Sequence, residues 1–194
     1  MKHQARNSEF HLRPTELARL IKHAEDPRDR LILELFVYTG IRRAELRMIR
    51  KDDVDCARCR LLVRRGKGGK QRIAYLPDGL ARELCAYREV HTYDYLFSGR
   101  GGGPMSLRNI NYIVARIARR ALVETPNPRY KNVAPHLLRH SLARNWKRAG
   151  GSLESLQKIL GHTSLKTTMD VYGTESQSET EENYRNLIST LVHA

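Results

Sequence analysis

Between Asp26-Pro27 and Gly40 the chain runs through Leu31-Ile32-Leu33 and Leu35-Phe36-Val37, a stretch whose helical projection is apolar on nearly every side. Such a helix has no face to offer water, so it must be wrapped by other elements. The run predicts a buried central helix over 27–39, opened by proline and stopped by Gly40. Everything else has to be arranged around it. Pro14 precedes the stripe Leu17, Leu20, Ile21 and Ala24, which predicts a helix ending before Asp26. After Gly40, Leu46, Met48 and Ile49 predict a short helix.

The period then changes. Leu61-Leu62-Val63 and Ile73-Ala74-Tyr75-Leu76 are short β-type runs on either side of Arg64-Arg65-Gly66-Lys67-Gly68-Gly69-Lys70-Gln71-Arg72, a basic, glycine-rich hairpin turn. Helical spacing resumes with Leu80, Leu84 and Tyr87. After the glycine-rich loop 99–104 it continues with Leu107, Ile110, Ile113, Val114, Ile117 and Ala121, for which Ser106 is the N-cap. Pro135 opens a helix carrying Leu138, Leu142 and Trp146 that ends at Gly150-Gly151, and Ser152 caps another that closes at Gly161. A polar linker leads to Tyr184, Leu187, Ile188, Leu191 and Val192, a final amphipathic helix. The expected class is mainly α with a small antiparallel β-sheet (α+β).

A chain of 194 residues can bury a core in one domain. Its 35 Lys and Arg against 21 Asp and Glu give a formal charge of +14. Residues 174–194 hold four glutamates and Arg185, a net of −3, which leaves +17 on residues 1–173. A body that basic attracts polyanions, nucleic acid first among them. No apolar run reaches the roughly 20 residues of a membrane span, and the N-terminus lacks a secretory pattern, so the expected compartment is the cytoplasm, in association with the nucleoid. With only Cys56, Cys59 and Cys85, neither a disulfide framework nor a four-cysteine zinc site is available. Cys56 and Cys59 are expected to be a reduced pair on a turn.

Taken one at a time, the polar candidates are ordinary surface residues. Their order is not ordinary. Thr39-Gly40-Ile41-Arg42-Arg43-Ala44-Glu45-Leu46, Gly66-Lys67-Gly68-Gly69-Lys70-Gln71-Arg72, Pro135-His136-Leu137-Leu138-Arg139-His140, Leu160-Gly161-His162-Thr163-Ser164 and Thr167-Thr168-Met169-Asp170-Val171-Tyr172 follow one another along the chain. Together these five motifs resemble the tyrosine recombinase, or phage integrase, family over residues 12–173. The resemblance implies a catalytic domain at 12–173, a short extension at 1–11, and an acidic linker with a C-terminal helix at 174–194. It implies that Arg42 and Arg139 are catalytic arginines, Lys67 the lysine of the β-turn, His136 and His162 the two histidines, Tyr172 the nucleophile and Glu45 a supporting acid. Arg43, Lys70, Arg72 and Arg108 are expected to contact DNA phosphates. Only about eleven residues precede the implied domain, which fits either a minimal recombinase or an excised catalytic fragment.

The chemistry of the residue types agrees. Attack on a phosphodiester builds negative charge at phosphorus, and guanidinium forks bind phosphate oxygens bidentately while staying charged. A tyrosine, with an ordinary pKa of about 10, needs a proton acceptor, for which His136 is placed; His162 would donate to phosphate. The leaving 5′-oxygen needs a proton, and Lys67 in a cationic site is suited to supply it. The implied activity is site-specific recombination of double-stranded DNA through a covalent 3′-phosphotyrosine, with no metal or nucleotide cofactor. The implied partners are DNA, further copies of the chain in a tetramer joined by the C-terminal helix, and DNA-bending accessory proteins. Two other readings stay open at this point: type IB topoisomerase-like relaxation, and a catalytically silent DNA-binding protein.

Overall fold

A computed structural model describes residues 10–64, 71–128 and 130–161. Helix α1 spans Pro14–Lys22, with proline in its first turn and Glu16 accepting a hydrogen bond from the Arg13 backbone N–H at 2.8 Å. Helix α2, Pro27–Thr39, is capped by Asp26, whose carboxylate accepts from the Asp29 N–H at 3.0 Å. Leu31, Ile32, Leu33, Leu35 and Phe36 are all buried, and α2 packs against α1 and two later helices. It is the central helix that its all-round apolar pattern requires.

The following helix is shorter than the apolar spacing suggests. Helix α3 is a single turn, Arg43–Leu46; Ile49 is buried beyond it, and Met48 is exposed. A 3-10 turn at Lys51–Asp53 leads into β1, Val54–Asp55, then β2, Arg60–Val63, and β3, Arg72–Tyr75. The three strands pair antiparallel in the order β1-β2-β3, with Val54 opposite Leu61 and Val63 opposite Arg72. Strand β1 is too short to leave a periodic signal, which is why the sequence shows only the hairpin.

The cysteine expectation is corrected. Cys56 is joined to Cys85 in a disulfide, across 29 residues of sequence, and Cys59 is the free thiol. The β1–β2 turn carries Cys56 toward helix α4, Asp78–Val90, which packs on β1, while Cys59 adopts a positive φ of 49° at the far end of that turn. Proximity of the two cysteines in sequence says nothing about a partner brought in by a helix.

After a 3-10 turn at Arg100–Gly102 comes α5, Leu107–Arg120, capped by Ser106, and then α6, Pro135–Arg148, which lies against α2. Helix α7, Leu153–Leu160, is capped by Ser152 at one end and by left-handed Gly161 at the other. Among the described residues two apolar clusters form. The large one surrounds α2; the small one joins Ala143, Leu156 and Leu160 with Leu142 and Trp146, seating α7 on α6. The architecture is mainly α with a small antiparallel sheet. None of the described helices is long and apolar enough to cross a membrane. The helix expected at 184–192 lies outside the described residues.

Candidate active site

The site begins where α2 stops. Gly40 has φ +58°, and a Cβ there would stand 2.6 Å from Leu160 Cδ2 and 3.0 Å from Leu142 Cδ2, so both backbone and space require glycine. Two residues on, Arg42 is the N-cap of α3. Its backbone N–H donates to Glu45 Oε2 at 2.9 Å and its Nη1 to Glu45 Oε1 at 2.7 Å. The short helix thus exists to hold an arginine against a buried carboxylate.

Glu45 serves a second arginine. Arg72, the first residue of β3, donates from Nη2 to Glu45 Oε2 at 2.9 Å and from Nη1 to the Ile159 carbonyl at 3.1 Å. Burial by itself would raise the Glu45 carboxyl, but the charge of Arg72 and the N–H and guanidinium of Arg42 outweigh it and hold it below the ordinary carboxylate value. Glu45 is therefore ionised at neutral pH.

Arg139 approaches from α6. It is buried, its Nη1 donates to the Gly40 carbonyl, and its Nη2 donates to the Leu160 carbonyl at 2.9 Å. Burial, with Arg42 and Arg72 close by, pushes its pKa down to about 9, which still leaves it charged at neutral pH. Three guanidinium groups thus stand around one carboxylate. The surplus is positive and wants an anion.

His136 lies one turn before Arg139 on α6 and keeps an open side to solvent, with the Tyr130 ring edge-on at 5.0 Å between centroids. Partial burial, reinforced by the charge of Arg43, lowers its pKa, so the imidazole is neutral near pH 7 and able to accept a proton. Arg42, Arg43, Asn111, His136 and Arg139 line one open cleft of about 620 Å³. Asn111 and Tyr130 escaped the sequence reading. Each is a single polar residue outside any of the five motifs, and nothing in the periodicity of α5 or of the loop before α6 marks it.

The structure brings Arg42, Glu45, His136 and Arg139 together, with exposed Arg43 at the rim. Arg108 is exposed in the first turn of α5. Arg72 is not on the outer surface where the sequence placed it: its side chain is only 9% exposed, and both terminal nitrogens are engaged by protein acceptors. Lys67, Lys70, His162 and Tyr172 lie outside the described residues. Among the described residues, no three His, Cys, Asp or Glu side chains gather as metal ligands would.

The phage integrase family model matches residues 11–179. The chain belongs to the phage integrase family. This integrase-family chain is 39% identical to tyrosine recombinase XerA of Thermococcus kodakarensis over 146 residues, which are 73% of it and 49% of that protein. It is 37% identical to tyrosine recombinase XerC of Xylella fastidiosa over 147 residues, 73% of this chain and 47% of that one. It spans about half the length of the curated relatives it matches. Among solved structures, XerA recombinase superposes with a TM-score of 0.76 at 31% identity, over 91% of this chain and 64% of that one. XerH site-specific recombinase bound to its difH substrate superposes with a TM-score of 0.75 at 25% identity, over 90% and 53%. These similar proteins are named as recombinases, and none of them as a topoisomerase.

Proposed function

We propose that this chain is the catalytic domain of a site-specific DNA recombinase that cleaves and rejoins double-stranded DNA through a covalent 3′-phosphotyrosine. One observation carries the reading: Arg42 and Arg72 both pair with the single carboxylate of Glu45 while buried Arg139 stands close by at the edge of an open cleft, a local excess of positive charge suited to a phosphodiester. The relatives named as tyrosine recombinases, and a similar structure of a site-specific recombinase described as bound to its difH substrate, support the choice of substrate.

In this mechanism the scissile phosphate enters the cleft and its nonbridging oxygens are held by Arg42 and Arg139. The Tyr172 oxygen attacks phosphorus as His136 accepts the phenolic proton. The bond from phosphorus to the 5′-oxygen breaks, and Lys67 supplies the proton that the departing oxygen takes up, while His162 donates to the phosphate. The reverse reaction with a different 5′-hydroxyl rejoins strands, so the bond energy is kept in the phosphotyrosine. Four copies acting on two duplexes, linked by the amphipathic segment at 184–192, would complete an exchange. In this reading 12–173 is the catalytic unit, 174–194 the connecting segment, and the protein works at the nucleoid with DNA-bending partners.

The test uses nicked duplexes with a randomised centre, in which the 5′-fragment diffuses away after cleavage. Protein–DNA adducts that survive denaturing electrophoresis are expected from the wild type, absent in Tyr172→Phe, and reduced at least ~10²-fold in Arg42→Ala. An adduct that persists in Tyr172→Phe would assign the nucleophile elsewhere. Relaxation of supercoiled plasmids without any captured site would point to topoisomerase chemistry instead.

A further inference from the structure

Arg72 closes a ring of contacts around the cleft. Arg42 is held by Glu45; Glu45 is held by Arg72; Arg72 reaches the Ile159 carbonyl; the next carbonyl along, Leu160, receives Arg139; and Arg139 returns to the carbonyl of Gly40, two residues before Arg42. Two arginines therefore dock on consecutive carbonyls at the C-terminal end of α7, where the helix leaves its last acceptors open and carries partial negative charge.

The fit around Arg72 is tight. A Cβ on Gly161 would stand 2.3 Å from Arg72 Cδ and 2.8 Å from its Nε, so the chain can pass there only as glycine. Arg72 Nε is buried with no hydrogen-bond partner among the described residues, Nη1 and Nη2 are both taken, and Arg72, unlike Arg139, does not line the cleft. Reaching a DNA phosphate would require breaking the Glu45 pair inside the protein, which leaves a buried carboxylate without one of its two cations. The side chain is spent on the scaffold.

We propose that Arg72 is a positioning residue for strand cleavage: it holds the Glu45 carboxylate, and through it the Arg42 guanidinium, in fixed relation to the end of α7 on which Arg139 is anchored. The inference rests on the recombinase reading above. A planar fork is needed because two acceptors on different elements, Glu45 of α3 and Ile159 of α7, are served at once. Lysine could keep the first contact but not both.

The experiment compares wild type, Arg72→Lys, Arg72→Met, Glu45→Gln and the Arg72→Met/Glu45→Gln double variant on the nicked duplexes captured by the wild type. Single-turnover adduct formation at saturating DNA is measured beside the apparent Kd and its salt dependence, all well below the melting temperature of the least stable variant. Arg72→Met is expected to slow adduct formation about ten- to a hundredfold with Kd and salt slope unchanged, and Arg72→Lys to recover part of that loss. The double variant should be no slower than the worse single one, because both changes break the same link. An unchanged rate at saturating DNA with a salt slope reduced by about one would make Arg72 a phosphate contact and overturn the proposal. Additive losses in the double variant would overturn it as well. If the wild type itself gave no adduct, it is the recombinase reading that would fall.

Discussion

Arg139 Nη2 donates to the Leu160 carbonyl at 2.9 Å, tying the middle of α6 to the last turn of α7. The same guanidinium reaches the Gly40 carbonyl at the end of α2, so one buried side chain joins three helix segments at the edge of the cleft.

Arg139→Lys keeps the charge and loses the fork. A single ammonium cannot serve both carbonyls, and each buried acceptor left unpaired costs about 1–3 kcal/mol. Urea denaturation should show a stability loss in that range, and adduct formation should fall at least ~10²-fold. Wild-type cleavage by a destabilised Arg139→Lys protein would confine this arginine to the scaffold.

Gly40→Ala combines a backbone and a packing penalty. The φ of +58° costs a residue with a Cβ roughly 1–2 kcal/mol, and a contact of 2.6 Å to Leu160 Cδ2 forces that buried side chain out of its packing, for about 1–3 kcal/mol more. The melting temperature should drop accordingly, and Leu160→Val should relieve part of it. A variant as stable as wild type would show that this approach of α2 to α7 is looser than the structure has it.

The pH dependence follows from His136, whose pKa is lowered from the ordinary 6.5 by burial and by Arg43. A depressed folded-state pKa means the native protein favours neutral imidazole. The resulting stability is complete above the unfolded value and is lost as pH falls through the folded one. If His136 is the proton acceptor, adduct formation at subsaturating DNA, which reports the DNA-free protein, should show an acid limb with its midpoint below 6.5. His136→Gln should slow the reaction and flatten that limb. A midpoint above 6.5 would mean that another group titrates.

The Cys56–Cys85 bond closes a loop of 29 residues between the β1–β2 turn and α4, away from the cleft. Chain-entropy arithmetic for a loop of that length gives about 3.5 kcal/mol of stabilisation. Cys85→Ser should lower unfolding stability by about 2–4 kcal/mol and leave the rate of adduct formation at saturating DNA unchanged. An equal stability in wild type and Cys85→Ser would argue against the bond.

Much of the fold is legible in local pattern. The all-round apolar run of α2, the proline and serine starts of α1, α2, α5, α6 and α7, and the glycine stops at Gly40 and Gly161 are signals read within a few residues, because capping and helical periodicity are local physics. The spacing of His136 to Arg139 is legible for the same reason: residues three apart on a helix share a face. Asn111 and Tyr130 are different. Asn111 reaches the cleft, and Tyr130 reaches His136, only because α5 and the loop before α6 happen to pass there.

Residue types and their order along the chain determined the family to which this chain belongs, its large surplus of basic charge, and a mainly helical scaffold. Tertiary structure alone decided what each cation does. Arg72 is as basic as Lys70 or Arg108 in sequence, yet it faces Glu45 across 27 residues and Ile159 across 87, and is buried between them. Cys56 pairs with Cys85 and not with its neighbour Cys59. Burial and long-range partners convert a surface charge into a strut and a thiol into a cross-link, and neither is written in the residues on either side.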